Sequence, residues 1–172
     1  MTYPEPYSTH QQALVRMLMR TSGPVLEMGI GEYSSVVAHE ILQSQNRYFR
    51  TVTQDWMWYT KYQFLRTYTD PFHEIRLLSG GTSLTTWQRN LESLLPDLYP
   101  RWNVVFVDQA PAAARPWAMR QLKSVTDFFV VHDTERMSQY GYTDIFAEFK
   151  YQKTFSRVTP YTTILSDTHK IP

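Results

Sequence analysis

The chain contains no cysteine among its 172 residues. That excludes disulfides, thiolate zinc sites and cysteine nucleophiles together, and it fits a reducing, cytoplasmic setting. Long apolar runs are missing as well. No stretch approaches the roughly 20 apolar residues needed to span a bilayer. The segment from Met1 to His10 is polar and proline-bearing, without the charged and apolar regions of a signal peptide. A soluble protein with no membrane partner is expected. An excess of one charge is also absent: 17 Lys and Arg against 16 Asp and Glu give a net charge of +1. With no basic run either, nucleic acid is not an expected partner. No repeat or Gly/Ser/Pro linker divides the sequence, so one domain over residues 1–172 is expected.

What the sequence does contain is enough apolar material, 42%, for a sizeable core. Short β-rich runs alternate with longer helical patterns, the arrangement of βαβ units around a parallel sheet. Helical spacing over Thr9 to Arg20 precedes a strand at Val25 to Met28 and a helix from Ser34 to Gln43. A strand at Tyr48 to Thr53 leads to a helix from Asp55 to Tyr68, with Asp55 placed to cap it. Glu74 to Leu78, Asn103 to Val107 and Phe128 to Val131 read as further strands. Helices over Leu84 to Leu95 and Pro111 to Val125 separate them. Phe146 to Phe155 and Tyr161 to Leu165 then read as two antiparallel strands at one edge. The expected class is α/β: a doubly wound, mostly parallel seven-stranded sheet with a C-terminal antiparallel hairpin and helices on both faces. Ligands of such sheets bind at the carboxyl ends of the strands.

The first strand runs straight into Glu27-Met28-Gly29-Ile30-Gly31-Glu32-Tyr33-Ser34. Glycines there permit a tight turn and let backbone approach a ligand, and the helix that follows offers free N–H groups to an anion. A third glycine is lacking at Ser34, so the full dinucleotide fingerprint is not met. This motif and the strand inventory resemble the class I, S-adenosylmethionine-dependent methyltransferases over roughly residues 10 to 166.

The resemblance implies S-adenosylmethionine as cofactor, held by Glu27, Gly29, Gly31, Tyr33 and Ser34, with Glu27 receiving the ligand's ammonium or fixing the turn. In the family, an acidic side chain at the end of the second strand holds the ribose. Here Thr53 stands in that place, and Asp55 follows two residues later as a substitute or as a helix cap. Trp56 to Tyr59 either packs on adenine or packs inside the fold.

The fourth and fifth strands end in Asp108 and His132-Asp133-Thr134. Two carboxylates on neighbouring strand ends either repel or share a cation. The pattern is nearest to small metal-dependent O-methyltransferases, and implies Mg²⁺ or Ca²⁺ held by Asp108, Asp133 and Thr134. It differs from the catechol type in having Gln109, not lysine, after Asp108. His132, next to Asp133, is then the candidate base, with Asp108 the other catalytic candidate, since imidazole titrates near neutrality; the alternative is an inward-facing histidine bonded to backbone. Arg115 is placed to bind an anionic group on the acceptor or to be a solvated helix residue. The expected activity is methyl transfer to a hydroxyl of a small molecule or glycan, with a site that is open, completed by a second copy of the chain, or suited to a large exposed acceptor such as a glycan. The alternative is a methyltransferase-like binding or assembly module without catalysis.

Overall fold

A computed structural model describes residues 8–66 and 72–172. Seven strands form one sheet: β1 (Val25–Met28), β2 (Phe49–Thr53), β3 (His73–Leu77), β4 (Trp102–Val107), β5 (Thr126–His132), β6 (Tyr151–Phe155) and β7 (Thr162–Ser166). Their order across the sheet is β3-β2-β1-β4-β5-β7-β6. The first five are parallel, and β7 inserts antiparallel between β5 and β6. The expected architecture is therefore the observed one. The order reverses between β1 and β4, and this switch point is where a doubly wound sheet opens a crevice at its carboxyl edge.

The strand register explains why these segments are strands. Along β4, Val105 and Val107 face one apolar layer while Val104 and Phe106 face the other. Helices α1 (Gln11–Arg20) and α2 (Ser35–Ser44) cover the second face through Leu14, Met17, Ala38 and Leu42. The first face packs on α4 (Leu84–Arg89), α5 (Ala114–Leu122) and α6 (Tyr142–Ala147), with Trp87, Met119 and Ile145 at its centre. Each such fully buried side chain stabilises the fold by roughly 1.5–3 kcal/mol relative to exposure. Helix α3 (Trp56–Tyr62) packs more lightly, on Ile30 and Ile75 through Tyr62. No helix among the described residues is long and apolar enough to cross a membrane.

Several boundaries differ from the sequence reading; the helix expected over Leu84 to Leu95 ends at Arg89 and is followed by a 3-10 turn, Leu91–Ser93. The strand expected over Phe146 to Phe155 begins only at Tyr151, because Tyr142–Ala147 is α6. Tyr142, Ile145 and Phe146 lie at helical spacing and are all buried, while Gln152 Nε2 donates to the Phe146 and Phe149 carbonyls at the helix end. The helix expected over Asp55 to Tyr68 ends at Tyr62 and continues as a single 3-10 turn, Gln63–Leu65. Its last two expected residues, Thr67 and Tyr68, lie outside the described residues.

Candidate active site

The turn after β1 is built around Gly29. Its φ is +93°, and a Cβ there would lie 2.8 Å from the Asp108 carbonyl oxygen, so only glycine fits. The backbone is pinned on both sides: Gly29 N–H donates to Val52 O and Asp108 N–H donates to Met28 O. Gly31 N–H donates to Ser35 Oγ at 2.9 Å, and Ser35 Oγ donates to Glu27 Oε2 at 2.7 Å. Thr51 Oγ1 donates to the same carboxylate oxygen. Glu27 is thus fully buried below the turn, which it braces through Oε2. Burial raises its carboxyl to about 7 against the hydrogen bonds from those hydroxyls.

Above this turn, at the carboxyl edge, lies a cleft of about 700 Å³, a size typical of small-molecule sites. Gly29, Gly31, Tyr33, Ser34, Thr53 and Asp55 line one side of it. All the expected cofactor residues except Glu27 therefore converge. Asp55 caps α3 with Oδ1, accepting from Met57 N–H and Trp58 N–H, and still borders the cleft. Of the aromatic run Trp56 to Tyr59, only Trp58 lines the cleft. Trp56 and Met57 are exposed, at 65% and 79%, and so do not pack inside the fold.

Asp108, His132 and Asp133, at the ends of β4 and β5, line the cleft as well. Asp133 has a left-handed backbone, φ 57°, a conformation aspartate tolerates better than most residues. Arg115, near the start of α5, is buried between the two carboxylates. Its Nη2 lies 3.0 Å from Asp108 Oδ1 and its Nη1 lies 2.9 Å from Asp133 Oδ2. Nε donates to Gln109 O at 2.8 Å. Burial raises the Asp108 carboxyl, and Arg115 offsets this only in part.

These contacts decide the expected hard-metal set. Thr134 does not join Asp108 and Asp133; its Oγ1 bonds Thr163 Oγ1 at 2.9 Å. The position between the aspartates belongs to the Arg115 guanidinium, so these three residues do not fit Mg²⁺ or Ca²⁺ as the resemblance implied. Of the two uses weighed for Arg115, the solvated helix residue is not observed: its side chain is buried and its guanidinium engages Asp108 and Asp133.

One residue at the cleft escaped sequence reasoning. His10, just before α1, is buried against Phe106 and meets His132 edge-on, with ring centroids 4.9 Å apart in both cases. Nothing in its local sequence signals this; the contact comes from α1 packing across β4 and β7.

No protein-family model and no curated protein sequence matches the chain. Solved structures do. The O-methyltransferase TomG of Streptomyces achromogenes, involved in tomaymycin synthesis and in complex with S-adenosylmethionine, superposes with a TM-score of 0.68 at 16% identity. The match covers 96% of this chain and 81% of TomG. The fold is that of class I methyltransferases. An O-methyltransferase from Bacillus cereus with S-adenosylhomocysteine gives a TM-score of 0.63 at 14% identity, covering 96% of this chain and 82% of that one. Human methyltransferase-like protein 13, also with S-adenosylhomocysteine, gives 0.62 at 14%, covering 95% and 85%. The class I fold thus places the Gly29 turn and the cleft where such sheets take their ligands.

Proposed function

We propose that the protein is an S-adenosylmethionine-dependent methyltransferase that methylates a hydroxyl of a small molecule or glycan. The observation that carries this reading is the Gly29 turn. Its left-handed backbone, its van der Waals contact with the Asp108 backbone and the Ser35–Glu27 brace hold bare main chain beside the N-terminus of α2. Such a corner receives an anionic group closely. The cofactor would supply an electrophilic methyl group on sulfonium, and the residues around it supply alignment. Gly29, Gly31, Tyr33 and Ser34 hold its amino-acid end. Thr53 and Asp55 face the ribose from the end of β2, and Trp58 offers a flat face to the base. On the acceptor side, His132 takes the hydroxyl proton in concert with Asp108.

The test is calorimetric titration with S-adenosylhomocysteine, with and without Mg²⁺. Binding is expected, with no help from Mg²⁺. Gly29→Val abolishes it and Asp108→Ala changes it mildly. Absence of heat and of thermal shift at millimolar ligand overturns the reading. A second reading is favoured by one specific observation, the closed Asp108–Arg115–Asp133 ion network, which engages both carboxylates at the acceptor side. On it, the chain binds the cofactor as a non-catalytic module. Binding of S-adenosylhomocysteine without methyl transfer from S-adenosylmethionine to any of a hydroxyl-bearing acceptor panel is its signature.

A further inference from the structure

We propose that His10, Asp108 and His132 form a binding site for a late first-row divalent cation of the zinc type. Each of the three offers one ligand atom, and these atoms lie within 4.8 Å of one another at one wall of the cleft. They come from three elements: the residue before α1, the end of β4 and the end of β5. The observation that points to a ligand is His10. It is 3% exposed and lines the cleft, yet neither ring nitrogen has a hydrogen-bond partner of good geometry, the Tyr33 backbone offering only a loose polar contact. A buried imidazole in that state leaves polar atoms unsatisfied, which costs about 1–3 kcal/mol unless a partner arrives. A metal ion is a partner that fits.

The donor set selects the class of ion. Two imidazoles and one carboxylate suit zinc and its first-row neighbours, whereas Mg²⁺ and Ca²⁺ take oxygen ligands. His132 Nδ1 lies 3.3 Å from Thr162 Oγ1, so Nε2, which lies 3.7 Å from Asp133 Oδ1, is the ligating nitrogen. Arg115 engages Asp108 through Oδ1, leaving the second carboxylate oxygen for the ion. The charge nearby permits a cation: Asp108 and Asp133 oppose one guanidinium, and Arg136, also at the cleft, is paired with Glu135 at 3.7 Å. In a tetrahedral site with bonds of about 2.0–2.1 Å, ligand atoms stand about 3.3 Å apart, so the widest pair closes by about 1.5 Å. That movement falls on His10, which belongs to no strand. Three protein ligands leave a four-coordinate ion one position for an oxygen from the cleft. The site itself does not depend on the methyl-transfer reading; only the use of that position for an acceptor hydroxyl does, with His132 then a ligand and not the base.

The experiment is calorimetric titration of tag-free, chelator-stripped protein with Zn²⁺, paralleled by visible absorption of the Co²⁺ form, both without S-adenosylmethionine. The expected result is one ion per chain, a Co²⁺ spectrum of four- or five-coordinate nitrogen and oxygen ligation, and no comparable binding of Mg²⁺ or Ca²⁺. His10→Phe preserves packing on Phe106, and Asp108→Asn preserves shape. Each weakens binding by about 100-fold, with the folded state of each verified by its thermal melt. Thr134→Val leaves binding unchanged. The proposal is overturned if wild type binds neither Zn²⁺ nor Co²⁺, or if Mg²⁺ binds equally well. It is also overturned if binding survives His10→Phe but is lost in His73→Gln, which would place the ion at the buried His39–His73 pair, 2.9 Å apart. Loss of zinc binding with intact S-adenosylhomocysteine binding separates this proposal from the functional one.

Discussion

Two buried arginines mark the two ends of the sheet. Arg50 lies in β2 toward the amino end, fully buried. It pairs with Glu74 at 2.9 Å and with Asp97, donates to the Leu95 carbonyl at 2.8 Å, and lies 5.4 Å from the Trp102 ring centroid. Arg115 lies at the carboxyl end and likewise meets two carboxylates, but those line an open cleft. The ingredients are the same, and location separates them. At the amino end the partners of the guanidinium are other parts of the fold, so the network only holds structure. At the carboxyl end the same pairing also sets the charge of a cavity that a ligand enters.

The largest expected effect tests the sealed end. Arg50→Leu removes the fully buried cation of this network, leaving Glu74 and Asp97 to the partly exposed Arg76, and leaves carbonyls unpaired. Because Asp97 is half-exposed, the loss sits toward the low end for a broken buried pair, about 3–4 kcal/mol. Urea unfolding should show it, while S-adenosylhomocysteine affinity stays within about twofold. A parallel loss of affinity would erase the distinction between the two ends.

Arg115→Met comes next, at about 2–3 kcal/mol near neutral pH. Its penalty depends on pH. Burial already holds the Asp108 carboxyl above its ordinary value, and removing the guanidinium raises it further. For an acid raised in the folded state, the folded form binds more protons, so stability is greatest below the unfolded value and falls as pH rises through the folded one. The variant should therefore lie closest to wild type near pH 4 and fall progressively behind toward pH 7.5. A penalty constant across that range would mean that the Asp108 carboxyl does not depend on Arg115.

Arg115 also shows how far the sequence reaches. The seven strands are legible in the alternation of β-rich and helical segments, because strands buried on both faces must be largely apolar; their order across the sheet is not, and the place of the last strand beside the fifth is implied only by the family resemblance. Asp108 and Asp133 are legible at strand ends for the same reason. What fills the space between them is not, since Arg115 sits on α5 and its direction depends on how that helix packs. Thr134 was misplaced by a single residue of chain direction: after the left-handed Asp133 the backbone turns back toward β7, where Thr163 waits. Helix α6 was hidden because Tyr142, Ile145 and Phe146 are β-favouring residue types, and only burial against α5 makes their spacing helical. His10 was invisible for want of any local pattern.

Within the open end, the turn and the rim should separate. Gly29→Ala forces a Cβ onto the Asp108 backbone at 2.8 Å and places an L residue at φ +93°. Stability should fall by about 1–2 kcal/mol, and S-adenosylhomocysteine binding should fall by more than that loss explains. Thermal melts and titration on the same samples give both numbers. Equal binding by the variant would remove the turn from the site.

Trp58→Ala gives the smallest effect and the sharpest view of the rim. The residue is 40% exposed and stacks on Tyr62 with ring centroids 5.6 Å apart. Because the ring is only partly buried, its loss costs the fold about 0.5–1 kcal/mol. If the flat face meets the adenine of the cofactor, S-adenosylhomocysteine affinity drops about fivefold to tenfold, about 1–1.4 kcal/mol. Trp56→Ala, one turn-edge away, fully outside the cleft and 65% exposed, should leave affinity unchanged. Equal effects of the two substitutions would show that α3 acts through its helix packing and not through a ring at the cleft, and would move the adenine away from the end of β2.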